Sequence, residues 1–123
     1  MITKSILLVE DDPFLSDIYS TKLRSSGFDV QVVSDGEDCL TFAAEKNFDL
    51  ILLDIVLPKM DGWEILREIK KTKGIRSMPV IILSNLSQRA EVEKGLNLGA
   101  VKYLIKAHYT PSEVVEEIKK VIG

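Results

Sequence analysis

The chain has 123 residues, of which 46% are hydrophobic and 28% are charged, a balance that excludes an intrinsically disordered protein. Its 16 basic and 19 acidic residues give a formal net charge of −3, which argues against direct binding to a nucleic acid through its phosphates. No apolar run approaches the roughly 20 residues that span a bilayer, and the first residues resemble no secretory leader, so we expect a cytoplasmic protein that contacts no membrane.

The length and the cysteine content indicate the number of domains and the cellular compartment. A chain of 123 residues is typical of one domain, so we expect residues 1–123 to form a single unit. The one cysteine, Cys39, can form neither an internal disulfide nor a cysteine-based metal site, which is typical of a reducing cytoplasm. We expect it to be a small, buried, apolar residue.

Five short apolar runs predict β-strands, and they alternate with five longer stretches of helical period. The predicted strands, in chain order, are Ser5–Val9, Val30–Val33, Leu50–Leu53, Val80–Leu83 and Val101–Ile105. The predicted helices are Pro13–Ser25, Glu37–Lys46, Trp63–Lys73, Gln88–Leu98 and Pro111–Ile122.

The alternation of strands and helices predicts an α/β fold with a parallel sheet and right-handed crossovers. The first, third and fourth strands are continuously apolar, as expected of strands that are covered on both faces. The second contains Gln31 and the fifth contains Lys102, so these two are expected at the edges. These features favour the order 2-1-3-4-5 of a doubly wound, flavodoxin-like sheet.

Acidic residues follow two of the predicted strands. In a doubly wound sheet, ligands bind beyond the carboxyl ends of the strands where the strand order reverses, here between the first and third strands. Glu10, Asp11 and Asp12 follow the first strand and Asp54 follows the third, so carboxylates are expected to converge there. Crowded carboxylates favour a bound cation, and an all-oxygen set suits Mg²⁺. The alternative is that Asp11 and Asp12 only cap the helix at Pro13, which leaves Asp54 unexplained.

Two further strand ends point at the same crevice. Ser84 follows the fourth strand and offers a hydroxyl, and Lys106 follows the fifth and offers a cation. A metal, a donor and a cation around one carboxylate can stabilise a phosphoryl group in transfer. The alternatives are that Ser84 starts a turn and that Lys106 is solvated at an edge strand.

Taken in order, four motifs resemble one known family. They are ILLVEDDP at residues 6–13, DIVLPKMDG at residues 54–62, Ser84, and YLIK at residues 103–106. Together they resemble the receiver domain of two-component response regulators, which has a CheY-like fold. The resemblance covers essentially the whole chain, and the ordered set is much more specific than any one motif.

The resemblance implies that Asp54 accepts a phosphoryl group from a phosphohistidine on a sensor histidine kinase or a phosphotransfer protein. It implies Mg²⁺ as the cofactor, bound by Asp11 and Asp54 directly and by Glu10 largely through water. The backbone carbonyl of Val56 would complete the protein ligands. Lys106 would contact a phosphoryl oxygen.

The resemblance also implies a conformational switch. Ser84 would move to hydrogen-bond the phosphoryl group, and Tyr103 would turn inward with it. The added charge would thereby change the face formed by the fourth helix, the fifth strand and the fifth helix, where a downstream protein target would bind. The same face would carry a weak homodimer. The chain would then be a signalling module rather than an enzyme.

Four positions depart from the usual family pattern or bear on the lifetime of the phosphorylated state. Ala107 stands where the family usually has proline, so we predict a trans Lys106–Ala107 bond, because a cis bond before a non-proline residue costs about 3 kcal/mol. Ser84 replaces the more common threonine. Val56 and Leu86 are apolar and would flank the path of an attacking water that neither can orient, so we expect slow self-dephosphorylation.

Two other classes of function stay open. A phosphohydrolase can form an aspartyl-phosphate on a similar fold, but such enzymes typically carry a second aspartate two residues after the nucleophile, where this chain has Val56. A flavin- or nucleotide-binding module would need a phosphate site. The sequence contains neither G-x-G-x-x-G nor G-x-x-x-x-G-K-[ST], and an acidic crevice would repel a cofactor phosphate unless a metal ion intervened.

Overall fold

Five strands and five α-helices alternate along residues 3–123, the part of the chain that the computed structural model describes. The strands are β1 (Ser5–Val9), β2 (Asp29–Val33), β3 (Leu50–Leu53), β4 (Val80–Ser84) and β5 (Lys102–Ile105). The helices are α1 (Pro13–Ser25), α2 (Gly36–Glu45), α3 (Gly62–Lys71), α4 (Arg89–Asn97) and α5 (Pro111–Ile122). A short 3₁₀ turn, Lys106–His108, connects β5 to α5.

The strands form one parallel sheet in the order β2-β1-β3-β4-β5, which confirms the predicted α/β architecture. The inner strands β3 and β4 are buried along their whole length, whereas the edge strands carry the half-buried Gln31 and Lys102. Val9 of β1 pairs with Leu53 of β3, so these two central strands end at the same level. The residues that follow them, Glu10 and Asp54, therefore start side by side at the same edge of the sheet.

Four elements, β1, β3, α1 and α5, have the predicted bounds, and the other six differ by one or two residues at one or both ends. Strand β2 begins at Asp29, which pairs with Ser5 at the start of β1. Helix α3 ends at Lys71. Helix α4 begins after Gln88, which serves as its N-cap, and the Gln88 N–H donates to the carboxylate of Glu91 at 2.9 Å.

A hydrophobic core covers each face of the sheet. Side chains of α1 and α5 pack on one face, and side chains of α2 and α3 pack on the other. Alternate residues of the central strands serve the two cores: Leu7 and Val9 face α2 and α3, while Ile6 and Leu8 face α1 and α5. Because both faces are covered, the central strands leave only their ends for polar side chains.

Within residues 3–123 no helix is long and apolar enough to cross a membrane. The same residues contain no cis peptide bond, so the Lys106–Ala107 bond is trans, as predicted. The chain leaves β5 through the 3₁₀ turn that begins at Lys106.

Cys39 is fully buried, and burial raises the pKa of its thiol to about 12. We therefore expect the folded protein to resist a thiol-specific disulfide reagent at mildly alkaline pH, because both access and the thiolate form are lacking. The same reagent should titrate one thiol per chain in denaturing guanidinium chloride. The measurement is the rate of release of the reagent's chromophore, and a rapid reaction of the folded protein would contradict this assignment.

Candidate functional site

The ends of β1 and β3 build an acidic cluster. Glu10 and Asp54 follow the paired residues Val9 and Leu53, and the Asp54 N–H donates to the Val9 carbonyl at 3.1 Å. One carboxylate oxygen each of Glu10, Asp11 and Asp54 lies within 4.8 Å of the others. Glu10 and Asp54 are 3% and 6% exposed, whereas Asp11 is exposed. The structure thus brings together the carboxylates that the sequence placed at this edge.

Lys106 is the cation of this cluster. Its Nζ donates to Glu10 Oε1 at 2.5 Å and to Asp54 Oδ2 at 2.7 Å, and its side chain is only 9% exposed. The alternative of a solvated edge lysine is therefore wrong. In a buried site an ammonium that bridges two carboxylates offsets their mutual repulsion.

Burial and hydrogen bonding together shift the pKa values of Glu10 and Lys106. Burial raises the pKa of Glu10, although its hydrogen bond with Lys106 acts in the opposite direction. Burial alone would lower the pKa of Lys106, but the hydrogen bonds to Asp54 and Glu10 outweigh it and raise that pKa. The ammonium group is consequently charged at neutral pH.

Asp11 and Asp12 have different roles although they are neighbours of the same type. Asp12 caps α1: its Oδ1 accepts from the N–H groups of Phe14 at 2.9 Å and Leu15 at 3.2 Å. The Asp12 N–H in turn donates to Glu10 Oε2 at 3.2 Å. The helix-cap alternative is therefore right for Asp12 and wrong for Asp11, whose carboxylate belongs to the cluster.

The backbone around Asp54 is held closely from two sides. Asp54 Oδ1 accepts from the Val56 N–H at 3.3 Å, and the Gly62 N–H donates to the Ile55 carbonyl at 2.8 Å. A Cβ atom on Gly62 would lie 2.5 Å from both the Asp54 carbonyl oxygen and Ile55 Cα. Only glycine therefore allows α3 to begin this close to the aspartate, a requirement that we did not predict from the Asp61-Gly62 motif.

The cluster opens into a surface cleft of about 340 Å³. Its lining side chains are mainly acidic and are the following: Glu10, Asp11, Asp12, Leu15, Asp54, Val56, Asn85 and Lys106. Asn85 was not identified from the sequence. Its position directly after the last residue of β4 was the available signal, but no motif distinguishes it from an ordinary loop asparagine.

Ser84 and Tyr103, the predicted switch residues, bind the same backbone segment. Ser84 is fully buried, and its Oγ accepts from the Leu86 N–H at 3.3 Å. The Tyr103 hydroxyl donates to the Leu86 carbonyl at 2.7 Å. The Leu86 side chain packs against the core and is not among the residues that line the cleft, so it does not flank the site as expected. Val56 does line the cleft and is 59% exposed.

Helix α4 lies directly on the Tyr103 ring. A Cβ atom on Gly95 would lie 2.9 Å from Tyr103 Cδ2 and 2.6 Å from Ile82 Cδ1. Gly95 is therefore a second residue that we did not predict, and its lack of a side chain permits the close approach of α4 to β4 and β5.

Residues 6–119 match the response regulator receiver domain family. The chain belongs to this family. It is 36% identical over 114 residues to the DNA-binding response regulator MtrA of Mycolicibacterium smegmatis, a match that covers 93% of this chain and 48% of MtrA. It is 35% identical over 116 residues to the DNA-binding regulator RpaA of Synechocystis, covering 94% of this chain and 46% of RpaA. This receiver domain thus spans about half the length of these relatives.

Comparison with solved structures also finds receiver domains and CheY-like folds. The receiver domain of a sensor histidine kinase from Pseudomonas aeruginosa PAO1, which holds a magnesium ion in its active site cleft, superposes with a TM-score of 0.90 at 33% identity, covering 99% of each chain. The chemotaxis protein CheY4 of Vibrio cholerae superposes with a TM-score of 0.91 at 23% identity over 98% of this chain and 99% of CheY4, a likeness of fold.

The acidic cluster of this receiver domain is suited to a magnesium ion. Its two buried carboxylates and one exposed carboxylate offer only oxygen donors, and one oxygen of each lies within 4.8 Å of the others. Mg²⁺ prefers such hard ligands and keeps several waters, which the open cleft admits.

We expect MgCl₂ to raise the melting temperature of the wild-type domain, because an ion that binds only the folded state stabilises it. At about 100 times the Kd, the gain in unfolding free energy is about 2.7 kcal/mol. Asp11→Asn should lose most of this gain. Asp12→Asn is the matched control, because asparagine also caps helices and the magnesium response should persist. Thermal unfolding with NaCl at equal ionic strength checks this, and an undiminished response of Asp11→Asn would contradict the assignment.

Gly95→Ala should lower the free energy of unfolding by about 1–3 kcal/mol, because the added methyl group overpacks the contact with Tyr103 and Ile82. Helix propensity alone favours the opposite result, since alanine is better than glycine inside a helix by about 1 kcal/mol. Asn97→Ala at the exposed end of α4 is the control and should change stability by less than about 0.5 kcal/mol. Urea unfolding measures both, and a more stable Gly95→Ala would refute the packing argument.

Proposed function

We propose that this receiver domain takes a phosphoryl group onto Asp54 from a phosphohistidine of a sensor histidine kinase or a phosphotransfer protein. The supporting observation is the position of the Asp54 carboxylate, which lines the cleft, contacts Lys106 at 2.7 Å and lies beside Glu10 and Asp11. An oxygen of Asp54 forms a bond to phosphorus while the bond to the histidine nitrogen breaks, and that nitrogen keeps the electron pair.

The other charged groups support this transfer. Lys106 already contacts Asp54 Oδ2, so it is placed to bind a phosphoryl oxygen once the near-dianionic group is attached. Glu10, Asp11, Asp54 and the Val56 carbonyl would hold Mg²⁺. When bound, the ion supplies a positive charge that stabilises the negative charge on the phosphoryl oxygens.

The switch proposed for Ser84 and Tyr103 depends on their shared partner. The Ser84 hydroxyl accepts from the Leu86 N–H and retains its own proton for a phosphoryl oxygen. Because Leu86 also accepts from Tyr103, a movement of Ser84 toward the phosphoryl group would disturb the contact that holds the tyrosine ring. The phosphorylation signal would thus reach β5 and α4.

The output surface proposed here is the face of α4, β5 and α5. Leu96 of α4 and Val101 before β5 are 44% and 48% exposed, which leaves apolar surface there for a partner to cover. A downstream protein target would bind this face, and the same face would support a weak homodimer.

We further propose that residues 1–123 act as a single receiver domain in the cytoplasm, with protein partners rather than nucleic acid or membrane. Its role is signalling, and the reactions it promotes are its own phosphorylation and dephosphorylation. The phosphohydrolase alternative requires an acid or base two residues after the acceptor, where the exposed, apolar Val56 stands.

Incubation with Mg²⁺ and acetyl phosphate tests the proposed acceptor. Intact-mass analysis should show the gain of one phosphoryl group by the wild type and no gain by Asp54→Asn, because the nucleophilic oxygen is lost. Asp61→Asn is the matched control: Asp61 is an exposed N-cap of α3 outside the cluster, so labelling should persist. An unlabelled wild type, or equal labelling of Asp54→Asn, would show that Asp54 is not the acceptor.

A further inference from the structure

One neutral polar side chain lines the cleft, and the proposed transfer does not use it. Asn85 is exposed and follows directly after β4, where it shares the cleft with Asp54 and Lys106. A carboxamide can accept a hydrogen bond through Oδ1 and donate two through Nδ2. None of the other uncharged side chains that line the cleft can do either, since they are Leu15 and Val56.

The charged side chains of the cleft already have partners or proposed tasks. Lys106 bridges Glu10 and Asp54, and Asp12 caps α1. Asp11 belongs to the acidic cluster that suits a metal ion. Asn85 is therefore the lining side chain best suited to hold a neutral water molecule beside Asp54.

The backbone on the carboxyl side of Asn85 is held in place. Its neighbour Leu86 donates to Ser84 Oγ at 3.3 Å and accepts from the Tyr103 hydroxyl at 2.7 Å. Ser84, on the other side, is fully buried at the end of β4. The carboxamide is thus carried by a short segment fixed at both ends, as a group that orients another molecule must be.

We propose that Asn85 orients the water that hydrolyses the aspartyl-phosphate on Asp54, and that it thereby sets the lifetime of the phosphorylated state. This inference rests on the proposed function. Oδ1 of Asn85 accepts a hydrogen bond from the water, while Nδ2 donates to a phosphoryl oxygen. The water oxygen bonds to phosphorus, the bond from phosphorus to the Asp54 oxygen breaks, and its electron pair returns to the carboxylate. Both water protons leave on the dihydrogen phosphate.

This role complements the apolar Val56 at the same cleft. Val56 cannot hydrogen-bond a water, and the Leu86 side chain packs against the core. Hydrolysis is then slow but depends on one polar side chain. Removing that side chain should lengthen the lifetime further rather than shorten it.

The experiment compares the decay of the phosphorylated wild type with that of Asn85→Leu, which keeps the size of the side chain and removes its hydrogen bonds. Each protein is labelled with acetyl phosphate and Mg²⁺, freed of the donor, and followed by intact-mass analysis in excess Mg²⁺. Asn85→Leu should decay about fivefold to tenfold more slowly, the effect of one ordinary hydrogen bond in the transition state. Asn85→Gln keeps the carboxamide and should recover part of the rate.

Two controls separate this role from a structural one. Ser87→Ala changes an exposed neighbour that does not line the cleft and should leave the lifetime unchanged. Asn85→Leu should still be labelled at Asp54 and should keep the melting temperature of the wild type, so that its decay reports on the hydrolysis step. Asn85→Ala tests shielding, because a side chain that merely blocks water would give faster decay when it is truncated.

The outcomes distinguish the inference from the proposed function. Slower decay of both Asn85→Leu and Asn85→Ala supports the role in orienting water. Unchanged or faster decay of Asn85→Leu, or faster decay of Asn85→Ala, overturns it while labelling at Asp54 stands. Failure of the wild type to become labelled overturns the proposed function, and this inference with it.

Discussion

The bridge from Lys106 to Glu10 and Asp54 is the interaction on which the site depends. Two nearly buried carboxylates at the ends of adjacent strands repel each other, and burial raises the pKa of Glu10. The ammonium group, 2.7 Å from Asp54 Oδ2, offsets both effects. Removal of one partner from such a buried pair typically costs about 3–5 kcal/mol. The cation among its acids therefore stabilises the site, which gathers the charges that the proposed phosphoryl transfer needs.

The fold supplies the geometry of this cluster through backbone contacts. Because β1 and β3 are parallel and Val9 pairs with Leu53, Glu10 and Asp54 lie at the same level of the sheet edge. Gly62 lets α3 begin against the backbone of Asp54, and Asp12 fixes the start of α1 on the other side. The Asp54 carboxylate is therefore held by rigid elements, and the cleft above it is lined mainly by side chains from the loops.

A short chain of contacts joins the cleft to the proposed output face. Leu86 is the common partner of Ser84 and Tyr103, and Gly95 places α4 on the Tyr103 ring. These residues are in direct hydrogen-bonding or van der Waals contact, so a movement of one requires its neighbour to move. In the proposed switch the loop that carries Asn85 thus has two tasks: it bounds the cleft, and it connects the cleft with α4 and β5.

The sequence by itself determined the strand order and the acidic cluster. Continuously apolar strands had to lie inside the sheet, polar residues marked the edges, and acids after adjacent strand ends had to meet. Only the tertiary structure decided which of the neighbours Asp11 and Asp12 caps α1, that the Leu86 side chain packs into the core, and that Asn85 lines the cleft. The physical reason is that periodicity fixes side-chain direction within strands and helices, whereas in loops that direction depends on contacts between distant segments.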